Sequence, residues 1–220
     1  EILGTSKSIA DALVIRTLTT ILEEYGFKDL IVDINSMGDK ETRPTFIKEL
    51  TGYYKKHLES LCKDCHERIK TNPLRLLDCK QPGCQPFKEN APSSLSFLSN
   101  DARSHFKEVL QYLEEMGISY RINNSLVRGL DYYSRTVFEV IKVDTDDNGK
   151  EKEITITGGG RYDYLAKMMG NKKDIPSVGT GLGIERIMMF PECKKLLPRI
   201  MKPPKVYFIQ LGFEAKLKSL

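Results

Sequence analysis

Apolar residues recur at helical spacing near the start of the chain. From Ile9 onward they follow a period of about 3.6 residues, with Ser8 available as an N-cap and Gly26 as the stop. We therefore predict an amphipathic helix over this stretch. The β-rich run LIVDI, from Leu30 to Ile34, then predicts a strand.

The next segment carries helical patterns, turn residues and cysteines, with hardly any strand signal. Pro44 suits the first turn of a helix that runs to about Leu61. Asn100 or Asp101 can cap another helix that stops at Gly117. This part of the chain is predicted to be an inserted, mostly helical subdomain.

The strand signal returns at ISYRI, from Ile118, and continues through SLVRGLDYY, RTVFEVIKV and KEITIT. The Asn-Gly turn at 146–149, between the last two runs, is typical of a β-hairpin. A helix after Gly160, a strand around Val178 and a helix over 184–189 follow. The pattern predicts an α+β fold, with a mainly antiparallel sheet flanked by helices and interrupted by the helical insertion.

Composition fits a globular protein, since 40% of the 220 residues are hydrophobic and 29% are charged. The net charge of +4 is compatible with a nucleic-acid partner but does not identify one. With no bilayer-length apolar run and no basic-then-apolar leader, we expect a soluble, cytoplasmic protein. The opening residue is Glu1, and residues 204–220 read as a strand and the start of a helix, so we expect a piece of a longer protein.

Arginine, tyrosine and glycine recur together in two runs of the predicted sheet, LVRGLDYYSRTVFEV at 126–140 and GGGRYDYL from Gly158. Arginine forks suit phosphate and carboxylate oxygens, tyrosine offers a flat face with a polar tip, and glycine lets a backbone approach a ligand. Together they predict a pocket for a small polar molecule that bears phosphate. In a regular strand Tyr132 and Tyr133 would point to opposite faces, so only one would face that pocket.

Each run also has a purely structural explanation. The tyrosines can be half core, and the three glycines can form a strand-to-helix turn. PSVGTGLGIERI can likewise be a glycine-rich turn into a helix, with Glu185 and Arg186 in its first turn, where a helix N-terminus attracts anions. The residues alone leave both explanations open.

The cysteines predict reduced thiols or metal ligands rather than disulfides, because the chain shows no secretory signal. Four of the five form a C-x2-C and a C-x4-C pair: Cys62, Cys65, Cys79 and Cys84. Thiolates at this spacing can close a tetrahedral structural zinc (Zn2+) site, with His66 as a further candidate ligand. The alternative is four buried or free thiols. Cys193 stands apart.

The runs LVRGLDYYSRTVFEV and GGGRYDYL resemble the two signature stretches of histidyl-tRNA synthetases. PSVGTGLGIERI, at 176–187, resembles motif 3 of the same class II of aminoacyl-tRNA synthetases. The resemblance implies a homodimeric enzyme that activates histidine with ATP and Mg2+ to histidyl-adenylate and transfers it to the 3′ end of tRNA(His). It also implies that motifs 1 and 2 lie before Glu1, so we expect this chain to be inactive alone.

The resemblance assigns roles to individual residues. Arg128 matches the catalytic arginine that contacts histidine and the α-phosphate. The histidine site comprises Arg128, Tyr132, Tyr133, Gly158, Gly159, Gly160 and Tyr162. The ATP site comprises Gly181, Gly183, Glu185 and Arg186, with Arg186 stacking on adenine. Arg161 is expected to be structural.

The resemblance also divides the chain. Residues 1–37 and 117–200 match the catalytic core, 38–116 the helical insertion on the acceptor-stem side of tRNA, and 201–220 the start of an anticodon-binding domain. Basic residues of the insertion either contact tRNA phosphates or form a solvated face: Lys63, Arg68, Lys70, Arg75 and Lys80. Asn171 stands where the family usually has a second glycine, so the loop before motif 3 is expected to differ.

Two other functions fit parts of the sequence. One is a non-catalytic, synthetase-like regulatory paralogue, of the kind that partners the first enzyme of histidine biosynthesis. The other is a zinc-stabilised RNA-binding module. The joint presence of Arg128, Tyr133, Tyr162 and Arg186 favours the enzyme.

Overall fold

The structure is a computed structural model that describes residues 1–145, 149, 151–194, 209 and 211–218. Within these residues the strands form one six-stranded sheet. The strands are β1 (Ile2–Leu3), β2 (Leu30–Ser36), β3 (Tyr120–Ile122), β4 (Ser134–Thr145), β5 (Glu151–Arg161) and β6 (Ser177–Leu182). The α-helices of the same residues are α1 (Ser8–Glu24), α2 (Arg43–Lys55), α3 (Lys63–Thr71), α4 (Gln85–Glu89), α5 (Asn100–Glu115), α6 (Leu165–Met168), α7 (Ile184–Met188), α8 (Pro191–Lys194) and α9 (Phe213–Lys218).

The sheet has the strand order β1-β6-β5-β4-β2-β3, and only the β2–β3 pair is parallel. This confirms the predicted α+β fold with a mainly antiparallel sheet. β4 and β5 pair antiparallel up to Thr145 opposite Glu151, as the hairpin prediction requires. The predicted turn between them lies mostly outside the described residues, as does the strand predicted shortly before α9.

The helix predictions are right in position but wrong at two caps. The Ser8 hydroxyl does not cap α1, because it donates to Glu108 Oε2 on α5 at 2.5 Å. The cap of α5 is Ser99, whose Oγ accepts from the Ala102 amide at 3.1 Å, instead of Asn100 or Asp101. α2 ends at Lys55, earlier than predicted, and a 3-10 turn over 58–60 follows.

Two cores of buried apolar residues cover opposite faces of the sheet. Val137 and Phe138 are neighbours on β4 and therefore point to opposite sides. Phe138 belongs to a core with α1 and α5, whereas Val137 belongs to a core with α2, α3 and the cysteine segment. The insertion predicted at 38–116 therefore does not pack as one unit. Its helices α2 and α3 share the core with Val137, whereas α5 packs against α1 and the sheet. The predicted domain boundaries stay predictions.

A buried ionic network fastens α1 to the sheet. Arg161, at the end of β5, is fully buried, and its Nε donates to Asp11 Oδ2 on α1 at 3.1 Å. Its Nη1 donates to Asp163 Oδ1 at 3.1 Å and to the Thr5 carbonyl at 2.9 Å. Burial alone would raise the pKa of the Asp11 carboxyl, but the His105 ring, whose Nε2 lies 3.5 Å from Asp11 Oδ2, and the hydrogen bonds from Arg161 hold that pKa below its ordinary value. Arg161 therefore has the structural surroundings expected of it.

No helix in the described part of the chain has both the length and the apolar character that crossing a membrane requires.

We predict that Asp11→Asn lowers the free energy of unfolding by about 2–3 kcal/mol, because it leaves Asp163 as the remaining carboxylate partner of the buried Arg161 guanidinium among the described residues. Urea denaturation measures the loss. Glu67→Gln is the control, since Glu67 forms an exposed pair with Lys70 on α3, and its effect should stay within about 0.5 kcal/mol.

The same pair has a pH signature. Because the folded pKa of Asp11 is lowered, its stabilisation is present above the ordinary value of 3.8 and is lost as pH falls through the folded pKa. The wild type should therefore lose stability more steeply than Asp11→Asn below about pH 4. Parallel acid profiles of the two proteins would contradict this account.

Candidate active site

The segment that carries Arg128, Tyr132 and Tyr133 is a loop, so the strand predicted there is wrong. β3 ends at Ile122 and β4 begins only at Ser134. Arg43, on α2, explains the difference, because its Nη1 donates to the carbonyls of Asp131 at 2.7 Å and Tyr133 at 2.9 Å. These carbonyls bind a side chain from the helical segment instead of a neighbouring strand.

The loop brings both tyrosine rings together, so the prediction that they face opposite ways is also wrong. The ring centroids of Tyr132 and Tyr133 lie 4.6 Å apart. The ring of Tyr162, which directly follows β5, meets Tyr132 edge to face at 6.0 Å. The structure thus gathers all three tyrosines that the sequence nominates.

Gly158, Gly159 and Gly160 lie inside β5, between β4 and β6, rather than in a strand-to-helix turn. A Cβ on Gly158 would lie 2.5 Å from Arg128 Nη1, and one on Gly160 would lie 2.9 Å from Tyr133 Cδ1. Both contacts are too close for real atoms. The missing side chains therefore make the space that the arginine and tyrosine occupy.

These two glycines form a floor with two glycines of β6. Gly160 pairs with Gly179, and Gly158 pairs with Gly181. A Cβ on Gly179 would lie 3.1 Å from the Tyr162 hydroxyl, whereas one on Gly181 would meet open space. We call Gly158, Gly160, Gly179 and Gly181 the glycine floor. Gly159 faces the opposite side, where a Cβ would lie 2.9 Å from Phe138 Cζ in the core.

Sequence reasoning missed Gly179. The available signal was the two-residue spacing of Gly179 and Gly181, because residues i and i+2 of a strand share a face. The strand prediction around Val178 placed them correctly in β6. It did not reveal that β5 would set its own glycines opposite them.

The Arg128 guanidinium lies over this floor. Its Nη1 donates to Glu139 Oε1 on β4 at 2.6 Å, and the guanidinium carbon lies 6.0 Å from the centre of the Tyr133 ring. Its buried Nε has no hydrogen-bond partner among the described residues. Glu139 therefore orients Arg128 while leaving donors for an anionic ligand.

Glu1 is a second residue that the sequence did not nominate. Its Oε1 accepts a hydrogen bond from the Tyr162 hydroxyl at 2.7 Å. Burial raises the pKa of Tyr162, and this hydrogen bond raises it further. Burial and a hydrogen bond with Tyr133 raise the pKa of Tyr132 to about 12. Tyr132 and Tyr162 thus stay protonated at neutral pH and remain hydrogen-bond donors.

Arg186 lies on α7, which follows its N-cap residue Gly183. Its Nη1 donates to the Thr155 carbonyl on β5 at 2.9 Å. It lines a cavity of about 620 Å³ whose other lining residues include Lys80, Lys152 and Phe190. Gly181, Gly183 and Glu185 are all exposed near this end of the sheet.

A chain of hydrogen bonds joins the two parts of the site. Glu139 binds Arg128 through Oε1 and accepts from Thr155 Oγ1 through Oε2 at 3.3 Å. Thr155 in turn accepts from Arg186 through its carbonyl. The two arginines that the sequence nominates therefore share a continuous polar connection across β4 and β5.

The cysteine cluster assembles as its spacing predicts. The Sγ atoms of Cys62, Cys65, Cys79 and Cys84 all lie within 4.8 Å of one another, and those of Cys62 and Cys79 are 3.8 Å apart. Burial raises the pKa of the Cys65 and Cys84 thiols. His66 is not in this group, since its Nε2 lies 2.8 Å from the Leu58 carbonyl oxygen.

Comparisons with known proteins agree with each other. The family model for histidyl-tRNA synthetase matches residues 53–187. The histidine–tRNA ligase of Caldicellulosiruptor bescii is 37% identical over 212 residues, which cover 96% of this chain and 49% of the relative. That of Caldanaerobacter subterraneus subsp. tengcongensis is 41% identical over 219 residues, covering 99% and 51%. The chain spans about half the length of the curated relatives it matches.

Among solved structures, the chain is similar to the apo histidyl-tRNA synthetase of S. aureus. The TM-score is 0.68 at 28% identity, and the match covers 99% of this chain and 52% of that one. The similarity supports the same α+β architecture.

We predict that Gly160→Ala lowers the free energy of unfolding by about 1–3 kcal/mol, because the added methyl would overlap the Tyr133 ring and the Thr136 carbonyl. Gly181→Ala is the matched control in the neighbouring strand, where the methyl would meet open space, and its loss should be smaller. Thermal or urea unfolding compares the two. Equal losses would show that the floor is not sterically restricted.

Proposed function

Since the chain belongs to the histidyl-tRNA synthetase family, we propose that it forms part of the catalytic core of a histidine–tRNA ligase. The complete enzyme activates histidine with ATP and transfers it to the 3′ end of tRNA(His). The observation that carries the proposal is the position of Arg128, held by Glu139 over the glycine floor beside the gathered tyrosines. The activity is proposed for the complete enzyme, because the chain spans about half of its relatives.

Histidine binds, in this proposal, over the glycine floor between the tyrosines. A protonated phenol donates to a basic imidazole nitrogen, and the aromatic walls exclude larger side chains. The Glu1 carboxylate, hydrogen-bonded to Tyr162, offers a partner for the ammonium group of an amino acid. Tyr132, Tyr133, Gly158 and Gly160 line the same space, whereas Gly159 contributes through the packing beneath it.

Arg128 acts on the activation step. A histidine carboxylate oxygen forms a bond to the α-phosphorus of ATP, and the bond to pyrophosphate breaks. Negative charge develops on the phosphoryl oxygens, and a guanidinium already held by Glu139 stabilises it without reorganising. Glu139 thus acts as a positioning residue for Arg128.

Arg186 and its cavity form the nucleotide side of the site. A guanidinium can stack on an adenine ring, and the cavity of about 620 Å³ leaves room beside it. Gly181 and Gly183 leave space near the sheet edge, and Glu185 is a further candidate contact. Mg2+ would accompany ATP and neutralise charge on its phosphates.

The remaining assignments follow the family. We propose that residues 38–116 contribute the helical insertion on the acceptor-stem side of tRNA and that 201–220 begin an anticodon-binding domain. The basic side chains Lys63, Lys70, Arg75 and Lys80 are exposed, as phosphate contacts require. A cytoplasmic homodimer and a structural Zn2+ on the four thiols complete the proposal.

The alternatives have less support. A regulatory paralogue has no need of the polar connection between Arg128 and Arg186. A detached RNA-binding module would have a core of its own, but Cys65 and Cys79 share one core with Val127. Val127 lies in the loop 123–133, which carries Tyr132 and Tyr133 and which we call the tyrosine loop.

We predict that Arg128→Ala in the full-length enzyme slows adenylate formation by about 100-fold or more while weakening ATP binding much less, because the charge it stabilises develops in the transition state. Single-turnover rates and ATP affinity separate the two effects. Glu139→Gln keeps the guanidinium but loosens it and should give a smaller loss. Equal losses in rate and ATP affinity would make Arg128 a ground-state anchor.

We predict that Tyr162→Phe and Tyr133→Phe each raise the KM for histidine by about 5- to 10-fold, the equivalent of about one hydrogen bond, with little change in the KM for ATP. Histidine-dependent ATP–pyrophosphate exchange provides the measurement. Tyr25→Phe, at the exposed end of α1, is the control. An unchanged histidine dependence would remove the two hydroxyls from the pocket.

A further inference from the structure

We propose that the zinc site of Cys62, Cys65, Cys79 and Cys84 holds the helical segment against both substrate sides of the active site. On the histidine side Asn72 binds Asp131, which precedes Tyr132. On the nucleotide side Lys80 lines the cavity that contains Arg186. The effect on substrates rests on the proposed function, whereas metal binding rests on the sulfur positions alone.

The four sulfurs fit a single metal ion. With Zn–S bonds of about 2.3 Å, the ligand atoms of a tetrahedral site lie about 3.8 Å apart. The Cys62–Cys79 separation is 3.8 Å, and all four sulfurs lie within 4.8 Å of one another. A disulfide needs about 2.05 Å, so the spacing suits a metal ion better than a covalent bond.

The backbone around the sulfurs also suits a metal. Cys62 precedes α3 and its amide donates to Cys84 Sγ at 3.4 Å, which supplies a hydrogen bond to a thiolate. The amide of Cys65 donates to the Cys62 carbonyl at 3.0 Å, which closes a tight turn between the first two ligands. Zn2+ binds the four groups as thiolates, their protons pass to solvent, and no oxidant or reductant is needed. Four protein ligands leave no open position, so the metal has no catalytic role.

The histidine-side contact runs along α3. This helix begins at the thiol pair, and the residue after its last turn is Asn72. Asn72 Nδ2 donates to Asp131 Oδ1 at 2.6 Å, and Asp131 directly precedes Tyr132. A nine-residue helix spans about 13 Å, so α3 is a short rigid strut between the metal site and the tyrosine loop.

The nucleotide-side contact is made by the residue next to a ligand. Lys80 follows Cys79 directly, and it lines the cavity of about 620 Å³ that contains Arg186. Gln85 Nε2 donates to the Cys79 carbonyl at 2.7 Å, which fixes the same backbone from the other side. A metal bound to Cys79 would therefore fix the origin of the Lys80 side chain, whose ammonium attracts a nucleotide phosphate.

The apolar core connects the same parts. Cys65, Cys79 and Cys84 belong to one buried cluster with Leu126 and Val127, which lie in the loop just before Arg128. Tyr133 packs against this cluster. Loss of the metal would leave four thiols to repack in the core on which the loop rests.

The first test uses the full-length protein, purified under reducing conditions. Elemental analysis should find one zinc per chain. Removing it with a chelator should raise the KM for both histidine and ATP by about 10-fold or more, since small displacements of positioning groups have large effects, and added Zn2+ should restore both values. Iron in place of zinc, or no metal at all, in the purified protein would overturn the zinc site. Unchanged KM values after removal would overturn its positioning role.

The second test leaves the thiols intact, because a cysteine variant can simply unfold. Asn72→Ala should keep its zinc and raise the histidine KM, and Lys80→Met should keep its zinc and raise the ATP KM. Glu67→Gln, on the exposed face of α3, is the control and should change neither. Wild-type KM values in both variants would overturn the two contacts. If the untreated protein shows no histidine-dependent exchange, the proposed function fails, whereas its zinc content still decides the metal site.

Discussion

The site depends on a steric constraint. Beneath the tyrosine rings, the backbone of β5 and β6 leaves no room for a side chain. Gly158, Gly160 and Gly179 each lack a Cβ where Arg128, Tyr133 or Tyr162 lies close to the backbone. Any larger residue would lift these groups off the sheet. The positions of the aromatic rings and of the guanidinium therefore both follow from glycine at these positions.

Strand alternation in β5 explains how one segment serves two purposes. Gly158, Gly160 and Tyr162 lie on the side of the Arg128 guanidinium and the gathered tyrosine rings, whereas Gly159 and Arg161 face α1 and the core. The buried Arg161–Asp11 pair thereby fixes the strand from one side, while the side chains of Arg128 and Tyr133 lie against its other face. The geometry of the proposed site and the stability of the fold thus depend on the same five consecutive residues.

The sequence predicts best what local patterns determine. α1, β2, β6 and α7 follow from periodicity and turn residues, and the thiol cluster follows from the spacing of its cysteines. The loop before β4 could not be predicted in this way, because its conformation depends on Arg43 and Asn72, which lie 88 and 59 positions from Asp131. Gly179 and Glu1 were missed for a related reason, since each acquires its role only when another strand or side chain is set beside it.

The polar connection through Glu139 and Thr155 has a thermodynamic consequence. Arg186 holds the Thr155 carbonyl, and Thr155 and Arg128 share the Glu139 carboxylate. A ligand that draws one arginine away from its partner changes the hydrogen bonding available to the other. In the proposed enzyme, the affinities of the histidine and nucleotide subsites are therefore linked. Because such linkage is reciprocal, the factor by which a ligand beside Arg186 changes binding beside Arg128 equals the factor by which the second ligand changes binding of the first.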